Sequence, residues 1–283
     1  MGFMNTIFSI QNRSQDDFLE KKSESTYHIF LFEGMGKLMI DFMEYKLNGK
    51  YAIFTSPFQH YSFQECKLMK IIQVDFHGDF YCIEYHKKEV ACNGILFNNI
   101  YQTPFVQLYP DEYDDLLNIL KDTQKELQKK SELSESVIKA YLQLFLAKSS
   151  QLKQEKQTIE IPNEQWEEPM EKFKQLIEEN FRELRSPSQY ATLLAITPNN
   201  LSKKSKQYFG KTPSQLIQDR IVLEAKKLLH LTHKPVKEIA FELNFEDEYY
   251  FSRYFKKSVG LSPQNYRDEG GISIVADLSI QKK

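Results

Sequence analysis

The sequence predicts an α+β fold in two parts. An antiparallel β domain with two following helices comes first, and an all-α part of two tandem helix-turn-helix units joined by a long helix follows. Three observations carry this. From Tyr27 to about Tyr109 the 283-residue chain is rich in aromatic and β-branched residues broken by turn signals. From Pro110 onwards helical periodicity takes over. Finally, "NLSKKSKQYFGKTPSQLI" (Asn200 to Ile217) aligns without a gap on "YFSRYFKKSVGLSPQNYR" (Tyr250 to Arg267), at a constant interval of 50 residues. Ser202 answers to Ser252, Lys203 to Arg253, Lys206 to Lys256, Gly210 to Gly260 and Pro213 to Pro263. Two copies are too few for a solenoid and point to a pair of small related modules.

Within the β domain, "KLNGKYAIF" and "ACNGILF" each place Asn-Gly between apolar stretches, a pattern that predicts a hairpin turn at each. "LMKIIQVDF" supplies a further strand, and the whole reads as a small barrel or sandwich.

The helices of about 110–149 begin with "PDEYDDLLNILKDTQKELQ", which puts Tyr113, Leu116, Leu117, Leu120 and Leu127 near one stripe. "SESVIKAYLQLFLAK" does the same with Val137, Ile138, Tyr141, Leu142 and Phe145. Such a pair either caps the β domain's core or joins two chains. Leu144 and Leu146 broaden the second apolar surface and favour a homodimer. Residues 1–150 therefore read as a sensor and dimerisation domain, and the polar residues 150–165 as a linker.

Residues 166–270 carry helices with clear punctuation. Phe173, Leu176, Ile177, Phe181 and Leu184 mark the first, and "SQYATLLAI" a short second one. Thr197-Pro198 suits a helix start, since threonine caps the free N–H groups and proline lacks the donor that would go unpaired. That helix should end at Gly210 in a left-handed cap. Thr212-Pro213-Ser214-Gln215 then opens a longer helix as a capping box. The second copy repeats the order. Val236, Ile239, Ala240 and Leu243 form one face, Asn244 takes the left-handed turn, Asp247 caps the next helix, and Ser262-Pro263 opens the last.

A short helix, a tight turn and a second helix with a polar outer face form a motif that reads DNA in the major groove. The outward positions are Asn199, Asn200, Ser202, Lys203 and Lys206 in the first copy, and Glu248, Tyr249, Ser252, Arg253 and Lys256 in the second. Asparagine matches adenine and arginine matches guanine in two-point fashion, whereas lysine and serine more often hold phosphates. Double-stranded DNA is the partner these residues imply. Charge divides the copies unequally. Ser186–Lys234 holds eight basic and two acidic residues, and Pro235–Gly270 holds five and seven.

The segment from about Trp166 to Asp268 resembles the DNA-binding domain of the AraC/XylS family of bacterial transcription regulators, most closely through "VKEIAFELNFEDEYYFSRYFKKSVGLSPQNYR". The resemblance implies two helix-turn-helix units bridged by one helix, a regulator that more often activates than represses, RNA polymerase as a partner, and a small-molecule or other signal sensed by the amino-terminal half. Asn244 replaces the usual glycine. Ser205 replaces a large apolar residue, which predicts looser packing of the first unit. Glu246-Asp247-Glu248 places negative charge at the start of the second recognition helix. "NGKYAIFTSPFQHYSF" resembles, more loosely, a segment of a cupin-type barrel.

Composition bounds the rest. Hydrophobic content of 41% is enough for cores, and a net charge of −2 conceals the asymmetry above. Cys66, Cys82 and Cys92 lack CxxC spacing, which fits a reducing cytoplasm and excludes a disulfide framework or zinc finger. No apolar run reaches a membrane span, and the start lacks a secretory pattern. His28, His60, His77 and His86 are scattered, so no metal set and no metal-dependent catalysis are expected, nor any other cofactor or catalytic residue. Two alternatives remain: a regulator controlled only by dimerisation or protein partners, and a cupin enzyme fused to a DNA-binding domain. The tail 271–283 has no assigned role.

Overall fold

Tyr27–Ile40 (β2) and Met43–Thr55 (β3) pair without interruption from His28 opposite Thr55 to Ile40 opposite Met43. Asn48 and Gly49 therefore lie inside β3, opposite Met35 and Gly34, and the chain reverses instead at Asp41, whose φ is 51°. The Asn-Gly pair predicted a hairpin. Here Gly49 uses its conformational freedom within a strand, at φ 121°, facing Gly34 at φ 150°. The second predicted hairpin, at Asn93-Gly94, lies outside the described residues. The computed structural model describes residues 7–14, 17, 24–41, 43–81, 95–97, 99–129, 131, 133–159 and 164–270.

Two units make up the chain, one of residues 1–99 and 103–156, the other of residues 100–102 and 157–283. In the first, Phe8–Arg13 (β1), Tyr61–Phe76 (β4) and Phe105–Leu108 (β5) complete an antiparallel sheet of order β1-β4-β2-β3-β5. The sheet rolls up on itself. Tyr61 pairs with Ile40, twelve residues along β2 from His28, a distance of about 40 Å if β2 were straight. Yet the Tyr61 ring lies 5.1 Å from the His28 ring and 5.0 Å from Phe30. Register shifts in the β2–β4 pairing between Glu33 and Lys37 supply the bend. At Gly36 a side chain would meet Cys66 Sγ at 2.5 Å, so the close approach there requires glycine.

The roll encloses Phe30, Phe32, Leu38, Ile40, Tyr51, Ile53 and Phe63. At its end His28 is buried and shares a 2.6 Å hydrogen bond with Asp75. Burial would raise the Asp75 carboxyl, but the hydrogen bond and charge of His28, with Gln73 and Ser9, hold it below its ordinary value.

The outer face carries Ile29, Leu31, Ala52, Phe54, Val74 and Phe76. Pro110–Gln128 (α1) and Ser134–Ile159 (α2) cover it with Tyr113, Leu116, Ile119, Leu120, Ile138, Leu142, Phe145 and Leu146. The stripes read from the sequence thus pack against the protein's own sheet. Leu146 is wholly buried, while Leu144 is 44% exposed and Val137 37%. The helix α2 also runs to Ile159 through the stretch that polarity marked as linker from residue 150. Gln, Lys and Glu are good helix formers, and Ser149, Ser150 and Lys153 are buried there.

The second unit contains Glu164–Asn180 (α3), Pro187–Leu193 (α4), Pro198–Phe209 (α5), Pro213–Leu231 (α6), Val236–Glu242 (α7), Glu248–Val259 (α8) and Pro263–Gly270 (α9). Its core gathers Met170, Phe173, Ile177, Tyr190, Leu201, Leu216, Ile221, Ala225, Leu229, Ile239, Phe251 and Phe255. The tail 271–283 lies outside the described residues. Among the described residues no helix is long and apolar enough to cross a membrane.

Candidate nucleic-acid interface

Two helix pairs, α4–α5 and α7–α8, are built alike residue by residue. After α4 the backbone turns through Ala195 at φ 53°, with Ala195 N–H donating to Thr192 and Ile196 N–H to Ala191. After α7 it turns through Asn244 at φ 58°, with Asn244 N–H donating to Phe241 and Phe245 N–H to Ala240. Both are the same paired closure of a helix end, which satisfies the last free carbonyls. The sequence flagged Asn244 for this turn. It gave no signal for Ala195, because alanine does not favour that conformation.

The second helices begin and end as their residues require. Thr197 Oγ1 accepts from Asn200 N–H, and the Asp247 carboxylate accepts from Tyr249 and Tyr250 N–H. Gly210 and Gly260 close them in the left-handed region at φ 70° and 85°. Asp247 is therefore engaged in capping its helix, a local reason for one of the three acids at this start. Ser205 is fully buried where its counterpart is Phe255, and its hydroxyl donates to the Lys211 carbonyl at 2.7 Å. The smaller side chain gives up apolar volume but ties down the turn that follows α5.

Exposure repeats at the interval of 50. Leu201 and Phe251 are buried, Ser202 and Ser252 half-buried, Lys203 and Arg253 exposed, Ser205 and Phe255 buried, Lys206 and Lys256 exposed. Asn199, Asn200 and Tyr249 are exposed as well, and Glu248 is half-buried. Each copy's five candidate residues thus lie on the side of its helix turned away from the core. Glu248 and Ser252 also line an open groove with Lys237, Ser262, Gln264 and Arg267, where the starts of α7 and α9 come together.

Residues 190–269 match the family described as a helix-turn-helix domain. The arabinose operon regulatory protein of Escherichia coli is 34% identical over 92 residues, covering 32% of this chain and 30% of that protein. The HTH-type transcriptional activator RhaS of Escherichia fergusonii is 31% identical over 91 residues, covering 32% of this chain and 33% of that protein. Over this segment the chain is similar to these regulators. The match spans about a third of the length of these relatives. A solved structure of ToxT from Vibrio cholerae aligns over 92% of this chain and 97% of that one, at 17% identity and a TM-score of 0.40.

In the helix-turn-helix unit much of the first copy's positive charge is held internally. Lys211 pairs with Asp219 at 2.7 Å, and Lys234 with Glu242 at 2.5 Å. Arg220 donates to Glu178 and Glu224 at 2.8 and 2.9 Å and lies 4.0 Å over the Phe181 ring. Burial would raise the Glu224 carboxyl, but Arg220, with Lys227 and Arg182, holds it below its ordinary value. The i, i+4 spacing of Arg220 and Glu224 was legible in the sequence, whereas the partnership with Glu178 was not. Lys203, Lys206, Arg253 and Lys256 make no ion pair among the described residues. All four are exposed to solvent.

Proposed function

We propose that the chain is a sequence-specific, DNA-binding transcription regulator whose contacts come from α5 and α8. The observation that carries this reading is the repeated exposure pattern, with uncommitted cations at Lys203, Lys206, Arg253 and Lys256 on two helices of one unit. Two-point pairing suits Asn199, Asn200 and Arg253 to base edges. Lys203, Lys206, Lys256, Ser202 and Ser252 are suited to phosphates, and Tyr249, 77% exposed, to apolar contact beside Glu248.

Residues 166–270 form the DNA-binding domain in this reading. Residues 1–150 sense a small molecule or another signal and dimerise. The protein works in the cytoplasm, is no enzyme, and activates through RNA polymerase by analogy with relatives named as activators. A second reading has the amino-terminal unit bind no ligand and act through dimerisation or a protein partner. It is favoured by the aromatic filling of the sheet's inner face by Phe30, Phe32, Tyr61 and Phe63.

Selection of bound duplexes from a random DNA pool by the full chain, with and without cell extract, tests the main reading. Enrichment of a site with two conserved boxes is expected. No retention of any DNA at low salt would sink it. Dependence of enrichment on the protein-free, small-molecule fraction of the extract would favour the sensor over the second reading.

A further inference from the structure

Arg185 lies between α3 and α4, at the entrance to the first helix pair. Its main chain belongs to that pair. The Gln189 side-chain oxygen accepts from the N–H groups of Arg185 and Ser186 at 3.3 and 3.0 Å, and the Tyr190 hydroxyl donates to the Leu184 carbonyl at 3.0 Å. Its side chain belongs to the other pair. The guanidinium donates to the carbonyls of Leu243 and Asn244 at 2.6 and 3.1 Å and lies 3.8 Å from the centroid of the Phe245 ring. Phe245 in turn packs against Tyr250 and Tyr254.

The chemistry suits a lock. Carbonyls at a helix end are acceptors at the negative pole of the helix, and Arg185 Nη2 donates to both while its guanidinium lies over the Phe245 ring. Asn244 is the left-handed turn residue of the second pair, so Arg185 grips the element that aims α8. The long helix α6 joins the pairs along another path, with Gln218 donating to Ser258 of α8 at 2.5 Å. Arg267 of α9 also donates to the carbonyls of Leu229 and Lys234, and Arg185 adds the one of these attachments that comes from the first pair itself.

We propose that Arg185 is a positioning residue that fixes α8 relative to α5, and so makes recognition depend on the number of base pairs between the two boxes. This rests on the DNA-binding reading above. One inserted base pair displaces a box by about 3.4 Å and turns it by roughly 35°, which two rigidly held helices cannot follow.

The test has one arm without DNA and one with it. Spin labels introduced as unnatural amino acids at the exposed, corresponding positions Gln207 and Lys257 of the full chain report the α5–α8 distance distribution. It should be narrow in the parent protein, at least twofold broader in Arg185→Ala, and intermediate in Arg185→Lys, which keeps the charge but loses the planar contact with Phe245. Equal widths in folded variants overturn the proposal, whether or not the protein binds DNA. On a selected two-box site, one inserted base pair should weaken the parent protein at least tenfold and Arg185→Ala less than about threefold, each relative to its own native spacing. A full penalty in Arg185→Ala also overturns it. Should the alanine variant fail to fold, the lysine variant carries both comparisons. A parent protein that binds no DNA refutes the functional reading and leaves the distance measurement to decide the lock.

Discussion

Lys153 Nζ donates to the Thr103 carbonyl oxygen at 2.6 Å, from a side chain only 3% exposed. Burial pushes its ammonium down to about 7, against about 10.4 in an unfolded chain. Below that folded value both states hold the proton, and the buried charge exerts its full cost. As pH rises from about 7 towards 10, the folded state releases its proton first. The unfolded chain then binds more protons, so stability increases with pH. The thermal midpoint of the full chain should rise over this range, and Lys153→Met should flatten that slope. A lysine variant with the parent slope would show that another group is responsible.

Ala195 and Asn244 occupy the same left-handed turn, but only asparagine tolerates it readily. Ala195→Gly should stabilise the protein by about 0.5–1 kcal/mol, because relief of the left-handed strain exceeds the extra chain entropy of glycine. Asn244→Ala should destabilise by about 1 kcal/mol for the opposite reason. Urea midpoints at constant slope would measure both. A less stable Ala195→Gly protein would contradict this account of the turn.

Among the described residues Lys203 and Lys206 stand free of ion pairs on the more basic motif, and Arg253 on the more acidic one. Lys203→Ala with Lys206→Ala should weaken binding to all sequences and reduce the steepness of its salt dependence by about two phosphate contacts. Arg253→Ala should mainly relax preference at one or two base pairs, a loss of ~1–3 kcal/mol of discrimination. Titrations across a salt series, on matched and mismatched sites, separate the two effects. The assignment is wrong if the lysine pair leaves the slope intact while Arg253→Ala abolishes nonspecific binding.

Val137 and Leu144 remain exposed on α2 after its main stripe has joined the sheet core. They lie seven residues apart, on one side of the helix, and in the proposed dimer would be apolar surface available to a second copy. Val137→Lys with Leu144→Lys should convert a dimer to a monomer in sedimentation while changing the melting midpoint little. A parent protein that sediments as a monomer at high micromolar concentration would remove the dimer itself.

The carboxy-terminal unit was largely legible because its instructions are local. A cap such as Thr197 or Asp247, or a left-handed closure such as Gly210, Asn244 or Gly260, is decided within about five residues. The duplication then let one copy check the other. The outward sides of α5 and α8 followed from apolar spacing alone. Tertiary structure decided the rest, because a hydrophobic pattern says that a face is buried and not what buries it. The stripes on α1 and α2 pointed to a partner chain, whereas the sheet's outer face takes them up. Asn48-Gly49 looked like a turn because its local preference is strong, but continuous pairing with β2 outweighed it. Nothing in the residues around Arg185 and Lys153 marks them out. Their partners, Leu243 and Thr103, lie some fifty residues away, and only folding brings those carbonyls within reach.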